Sequence, residues 1–248
     1  MDRLIYTAMS GAKHILDQQA TVSHNLANAN TTGFRAQLDA FRAVPVIGGG
    51  PLETRAFVSD TTIGADYTPG AIQQTGRSLD VAVEGKGWIA VQLEDGTEAY
   101  TRNGSLKVNE NGVLQTASGA TVLGDGGPIT LPPDVSVMVG KDGTITGMTE
   151  GFKPGAATPL GRIKLVNPPE DNLMRGADGL FRTKDGNPAD VDANVVVAGG
   201  ALEGSNVNVV DSMVSMISLA RQFELNMNMM KNAESNEQKA SQLFSLGS

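Results

Sequence analysis

Apolar residues recur at a helical period in two stretches, which stand at the two ends of the chain. In the first, Ile5, Ala8, Ala12, Ile15, Gln19, Val22, Leu26 and Ala29 alternate steps of three and four residues. Seven of these eight suit the 3.5-residue seam of coiled-coil packing. Asp2 is placed to cap the start, and Asn28-Ala-Asn-Thr-Thr-Gly33 supplies turn formers that stop the helix. The second stretch repeats the spacing with Val209, Met213, Met216, Ala220, Phe223, Met227 and Met230, before Glu234 and Glu237 interrupt it. Val210, Val214, Ile217 and Leu225 add apolar surface beside that stripe, and Asn208 and Asp211 form a weak capping box. Each helix is expected to run roughly 35–45 Å. An amphipathic helix in water is marginal until its stripe is buried. The ends are therefore expected to pair with each other and with other subunits, and Ile5, Ala8, Ala12, Ile15, Val22, Leu26, Val209, Met213, Met216, Ala220, Phe223, Met227 and Met230 are the candidate assembly interface.

Between the ends the period changes from 3.6 to 2. Leu79, Val81 and Val83 share one face, with Asp80 and Glu84 opposite; Ile89, Val91 and Leu93 share another, with Trp88 able to cover the sheet. Further runs lie at 135–139, 162–166 and 195–198. Seven Asp-Gly or Asn-Gly pairs punctuate the region, at 95, 103, 111, 125, 142, 178 and 185, and such pairs favour tight hairpin turns. The expected fold is mainly β with α-helical termini: a coiled-coil-like core domain from the N- and C-terminal helices, and a central antiparallel β domain, sandwich or irregular barrel. The divisions are 1–44 (helical), 45–69 (extended linker or loop, with Gly48-Gly-Gly-Pro51 and Pro69-Gly70), 70–203 (β) and 204–248 (helical).

Composition follows the same divisions. All eleven prolines lie between Pro45 and Pro188, and 26 of 30 glycines between Gly48 and Gly200. The net charge of −8 belongs wholly to the middle, which carries 12 basic and 20 acidic groups. An acidic chain is a poor partner for nucleic acid or an anionic membrane. No apolar run approaches the ~20 residues of a membrane span, so no membrane insertion is expected. No signal peptide is visible, since Lys13, His14 and Asp17 interrupt the first turns.

Residues suited to catalysis or metal binding are few. With no cysteine, thiolate sites are excluded. His14 and His24 stand ten residues apart, which is not metal-ligand spacing. Val83-Glu-Gly-Lys-Gly-Trp88 lacks the spacing of a phosphate loop, and Asp185-Gly-Asn-Pro-Ala-Asp190-Val-Asp192 lacks the glycine and glutamate of a calcium loop. Glu94, Asp95 and Glu98 cluster beside a predicted turn, where exposed acids point only weakly to glycoside cleavage. No catalytic, cofactor or metal site is expected. The alternative kept from another class is a cell-wall binding or cleaving β module on a coiled-coil stalk.

Three segments carry a resemblance to a known family. They are Ser23-His-Asn-Leu-Ala-Asn-Ala-Asn-Thr-Thr-Gly-Phe-Arg-Ala36; Thr75-Gly-Arg-Ser-Leu-Asp-Val-Ala-Val-Glu-Gly-Lys-Gly-Trp88 with Tyr100-Thr-Arg-Asn-Gly104 and Gly112-Val-Leu-Gln115; and Asn206-Val-Asn-Val-Val210 with Met213-Val-Ser-Met-Ile217 and Arg221-Gln-Phe-Glu224. In this order they resemble the rod and hook axial proteins of the bacterial flagellum, over nearly the whole chain. Asn25, Leu26, Ala27, Asn28, Asn30, Thr31, Thr32, Gly33 and Phe34 are the family-motif positions. The chain's length leaves the longer rod proteins, and the opening Met1-Asp-Arg-Leu-Ile-Tyr-Thr-Ala-Met-Ser-Gly11 is more like the proximal than the distal rod members. Trp88 stands where the family often has phenylalanine. Asn208 replaces a frequent aspartate, which is expected to weaken the cap of the last helix.

The resemblance implies a structural subunit and no enzyme or cofactor. It implies export through the flagellar type III apparatus without a cleaved signal, and packing with other rod subunits and copies of itself. The product would be a torque-transmitting tube around the export channel, helices inside, crossing the periplasm.

Overall fold

The computed structural model describes residues 2–45, 56–133, 135–149 and 158–245. The chain divides into two compact units, one of residues 1–27, 37–65 and 208–248, the other of 28–36 and 66–207.

The first unit holds helix α1 (Asp2–Ala27), an antiparallel hairpin of β1 (Gln37–Pro45) and β2 (Ala56–Ala65), and helix α2 (Val209–Ser245). The two helices pack on each other, and both hairpin strands meet α1. The hairpin departs from the expected boundaries. Residues 56–65 pair with 37–45 from Gln37↔Ala65 to Pro45↔Ala56, with an irregularity between Ala40 and Phe41, so a strand stands where the glycines and prolines predict a linker. Gly48-Gly-Gly-Pro51 stands between the two strands in sequence and lies outside the described residues, while Pro69-Gly70 follows β2.

α1 ends as predicted at the Asn28 turn, while the expected Asp2 cap and Ile5 lie outside the described side chains. α2 has 37 residues and so spans about 55 Å, longer than expected, because Glu234 and Glu237 interrupt its stripe without breaking the helix. Asn208 caps it fully. Its Oδ1 accepts the N–H groups of Val210 at 3.0 Å and Asp211 at 3.4 Å. Asparagine serves this role as well as aspartate, so the substitution forgoes only the charge–dipole attraction, ~0.3–1 kcal/mol.

The second unit contains β3 (Ile72–Gln74), β4 (Val81–Glu84), β5 (Trp88–Gln92), β6 (Glu98–Thr101), β7 (Leu106–Val108), β8 (Leu114–Thr116), β9 (Thr121–Gly124) and β10 (Gly127–Pro128). It continues with β11 (Val135–Val139), β12 (Thr144–Thr149), β13 (Thr158–Arg162), β14 (Leu165–Val166), β15 (Leu173–Arg175), β16 (Phe181–Thr183), β17 (Val196–Gly199) and β18 (Ala201–Glu203). Among the described residues every strand pairing is antiparallel. The largest sheet runs β15-β16-β6-β5-β9-β8-β7, with β10 beside β9 and β14 beside β5. A three-stranded sheet orders β11-β12-β13, and β17 and β18 return to pair with β4 and β3, joining the two ends of the unit.

The core gathers Val81, Val83, Ile89, Val91, Leu106, Leu114, Ile145, Ile163 and Leu165, all essentially buried. Here the structure corrects the alternation read at β4: Ala82 and Asp80 are buried as well as Val81 and Val83, so both faces are covered. Asp80 is accommodated by Arg77 at 2.8 Å and by the Thr75 hydroxyl at 2.7 Å. On β5, Ile89 and Val91 enter the core cluster. Trp88 packs instead against Phe181, ring centroids 4.5 Å apart, and Tyr67 at 6.2 Å.

Five of the seven predicted turn pairs place their glycine at positive φ: Gly96, Gly112, Gly143, Gly179 and Gly186. The remaining two do not. Gly104 accepts the Val81 N–H instead, and at the 125–127 turn the positive φ falls to Gly127.

Candidate functional site

The helical unit carries an apolar surface on both sides of α2. On the side that is covered, Ser212, Met216, Leu219, Phe223, Asn226, Met230 and Ala233 are buried or half-buried. They repeat every three or four residues, the spacing of one helix face. Their counterparts on α1 are Ala8, Ala12 and Ile15, which are buried, and Val22 and Leu26, half-buried; Gly11 lies against Asn226. The opposite face of α2 presents Val210, Met213, Val214, Ile217 and Leu225 to solvent. Of seventeen exposed large hydrophobic side chains among the described residues, eleven belong to the helical unit although it is the smaller.

The stripe read from the sequence therefore divides. Met216, Phe223, Met227 and Met230 are half-buried within the chain, whereas Val209, Met213 and Ala220 are exposed. Leu219 and Ala233, both buried, are absent from the predicted stripe. Between the helices and the hairpin lies an open cleft of about 580 Å³, lined by Val22, Asn25, Leu38, Val214 and Leu219 among others.

Asn25 gives one amide of the motif segment a physical role. Its side chain accepts the Gln37 N–H at 2.8 Å and donates to the Gln37 carbonyl at 2.9 Å. The buried carboxamide thus pairs with a backbone residue as a neighbouring strand would, fixing where β1 leaves α1.

The β unit holds a buried ionic cluster of residues far apart in sequence. Glu203 Oε1 accepts from Arg35 Nη2 at 2.6 Å and from the Gly70 N–H at 2.8 Å; its Oε2 accepts from Arg102 Nη1 at 3.0 Å. The Arg35 and Glu203 side chains are wholly buried and Arg102 is nearly so. Arg102 also donates to the carbonyls of Val83 and Gly85 and lies over the Trp88 ring at 5.4 Å. Arg175 donates to the Arg35 carbonyl at 3.0 Å and stacks on Phe34 at 4.6 Å. Burial pulls the Arg102 guanidinium below its ordinary value; the Glu203 carboxylate opposes that shift and Arg35 adds to it. Two buried cations thus depend on one carboxylate, an arrangement that stabilises only while every member is present.

Other candidate residues have structural partners. Glu98 is held by Lys164 at 2.8 Å, Asp95 accepts from Thr97 within its own turn, and Lys86 pairs with Glu170. Among the described residues no group of three or more His, Asp or Glu could hold a metal.

Comparison with known proteins gives three family matches: "Flagella basal body rod protein" over residues 5–35, "Flagellar hook protein FlgE/F/G D1 domain" over 82–147, and "Flagellar basal body rod FlgEFG protein C-terminal" over 198–243. The chain is 46% identical to the flagellar basal-body rod protein FlgF of Salmonella typhimurium, over 99% of this chain and 100% of the relative. The Escherichia coli FlgF gives the same identity and coverage. A FlgG of Buchnera aphidicola is 31% identical over 90% of this chain and 92% of its own. The chain belongs to the flagellar basal-body rod protein family.

The three matched segments of this rod protein meet at one point. Arg35 closes the first, Arg102 lies in the second and Glu203 in the third. The motif residues between them are equally structural. Thr31 N–H returns to the Asn28 carbonyl, Thr32 Oγ1 donates to Asn103 Oδ1 at 2.9 Å, and Gly33 N–H donates to the Glu203 carbonyl at 2.8 Å. Gly33 has φ +67°, and a Cβ there would overlap the backbone of Arg102 and Asn103. A positive φ alone costs a side chain roughly 1–2 kcal/mol, so Gly33→Ala is expected to destabilise the β unit by more than ~2 kcal/mol once the overlap is added. Urea unfolding of the two proteins checks it; a shift of under half that size would show that the motif yields easily.

Proposed function

We propose that this chain is a structural subunit of the proximal rod of the flagellar basal body. It assembles through α1 and α2, with other rod subunits and with copies of itself, into the helical shaft that transmits torque and encloses the export channel. The observation that carries this reading is the 46% identity to FlgF over the full length of both chains. The lower identity to FlgG favours the proximal over the distal rod.

The helical unit supports it physically. A helix apolar on two opposite faces gains from burying both, and one chain covers one face of α2. Neighbouring subunits supply the other cover in a coiled-coil-like core, and Met213, Met227 and Met229 on or beside the seam can adapt to non-identical neighbours. The stripe residues Val209, Met213 and Ala220 belong to that outer contact. Such a subunit leaves the cell through the type III export apparatus without a cleaved signal and resides where the rod crosses the periplasm.

Electron microscopy of isolated basal bodies carrying an epitope tag in this chain tests the placement. Label on the rod close to the membrane-embedded base supports the proximal reading. Label confined to the distal rod, or absent from basal bodies, overturns it.

A further inference from the structure

We infer that Asn206 is a pin that ties three chain segments of the β unit into one load-sharing root. The chain enters or leaves this unit at 28, 36, 66 and 207, and the Asn206 carboxamide reaches the last three of these places. Its Oδ1 accepts the Ala36 N–H at 2.7 Å, and its Nδ2 donates to the carbonyls of Asp66 at 2.9 Å and Thr68 at 3.1 Å. Backbone bonds flank the carboxamide: Asp66 N–H to Ala36 carbonyl at 2.8 Å continues the β1–β2 pairing past Gln37↔Ala65, Gly204 N–H to Ala71 carbonyl at 2.8 Å continues the β3–β18 pairing past Ile72↔Glu203, and Gly33 N–H meets the Glu203 carbonyl at 2.8 Å. Glu203 lies three residues before Asn206 and anchors the same segments from below through Arg35 and the Gly70 N–H.

The bonds close a triangle, Ala36 to Asn206, Asn206 to Asp66 and Asp66 to Ala36, and hydrogen bonds networked in this way polarise one another. A pull on any one of the three segments is therefore resisted by the other two. From these three points the chain continues into β1, β2 and α2 of the helical unit, whose helices are assigned above to assembly. The inference thus rests on the rod reading for its use, though not for its existence.

Hydrogen exchange on the purified full chain tests the pin, with Asn206→Ala and Asn206→Asp. The aspartate keeps an acceptor for the Ala36 N–H but loses the donor to Asp66 and Thr68. In both variants the amides of Ala36, Asp66 and Gly33 are expected to exchange together, at least about tenfold faster, while those of β4 and β5 are unchanged. Acceleration of the Ala36 amide alone, and only in the alanine variant, would reduce Asn206 to a local bond and overturn the pin. Equal acceleration in β4 and β5 would also overturn it, by making Asn206 a general support of the core. In cells, both variants should swim normally in dilute medium and lose speed disproportionately in viscous medium. Coupled exchange with unimpaired viscous swimming would uphold the pin and sink the torque-bearing reading of this chain.

Discussion

Glu203→Ala is expected to lower the stability of the β unit by about 3–5 kcal/mol, the usual consequence of removing one partner from a buried ion pair. The loss is large because of what remains. Arg35 makes its one side-chain hydrogen bond among the described residues to Glu203, so its guanidinium would be left charged, buried and unpaired. Arg102 would keep the carbonyls of Val83 and Gly85 but lose its only counter-charge among the described residues. The Gly70 N–H would lose its acceptor. For a unit of this size the melting temperature should fall by about 6–20 °C. A double-mutant cycle separates the charge effect from simple truncation. Arg35→Leu with Glu203→Leu should be less destabilising than the sum of the two single changes, because no orphaned charge remains. A Glu203→Ala protein melting within 2 °C of the parent would show that water or neighbouring groups replace the carboxylate, and the cluster would not be what holds the three family segments together.

That cluster also marks where sequence reading stops. Its partners are separated by 168 and 101 residues, and no local period or spacing links Arg35 to Glu203. What is legible is local. Hairpin turns at Asp95-Gly96 or Asp142-Gly143 follow from two adjacent residues, and β11 follows from its own alternation. α1 is readable from apolar spacing because Ala8, Ala12 and Ile15 of the spaced series are the residues that packing buries.

α2 is less readable for a physical reason. Met216, Phe223 and Met230 belong to the covered face under either register. The other half of the stripe could equally be Met213, Ala220 and Met227 or Ser212, Leu219 and Asn226. A helix apolar on two sides offers no periodic signal to choose between them; packing covers Ser212, Leu219 and Asn226, leaves Met213 and Ala220 exposed, and half-buries Met227. The hairpin of β1 and β2 escapes a reading of composition because glycine and proline between two strands look like glycine and proline in a linker. Only the pairing from Gln37↔Ala65 onward distinguishes the two, and pairing is a long-range property.

Ile217→Asp and Leu225→Asp should abolish motility while leaving the isolated chain as stable as the parent, within about 0.5 kcal/mol. Both side chains are more than half exposed, at 58% and 64%, so a carboxylate there is fully hydrated before assembly. Under the assembly proposed above the same face of α2 meets a neighbour, and burying an unpaired carboxylate would cost several kcal/mol per subunit. That penalty recurs at every copy in the shaft, so even a modest loss per contact stops growth. Leu219→Asp is the control. It faces the covered side and should destabilise the chain itself. Swarming assays on complemented deletion strains, with thermal melts of the purified proteins, separate the two effects. Full motility with Ile217→Asp and Leu225→Asp combined would mean that this face stays in contact with water in the finished rod. Assembly would then have to proceed through α1 and the hairpin, and the second apolar face of α2 would be left without a physical explanation.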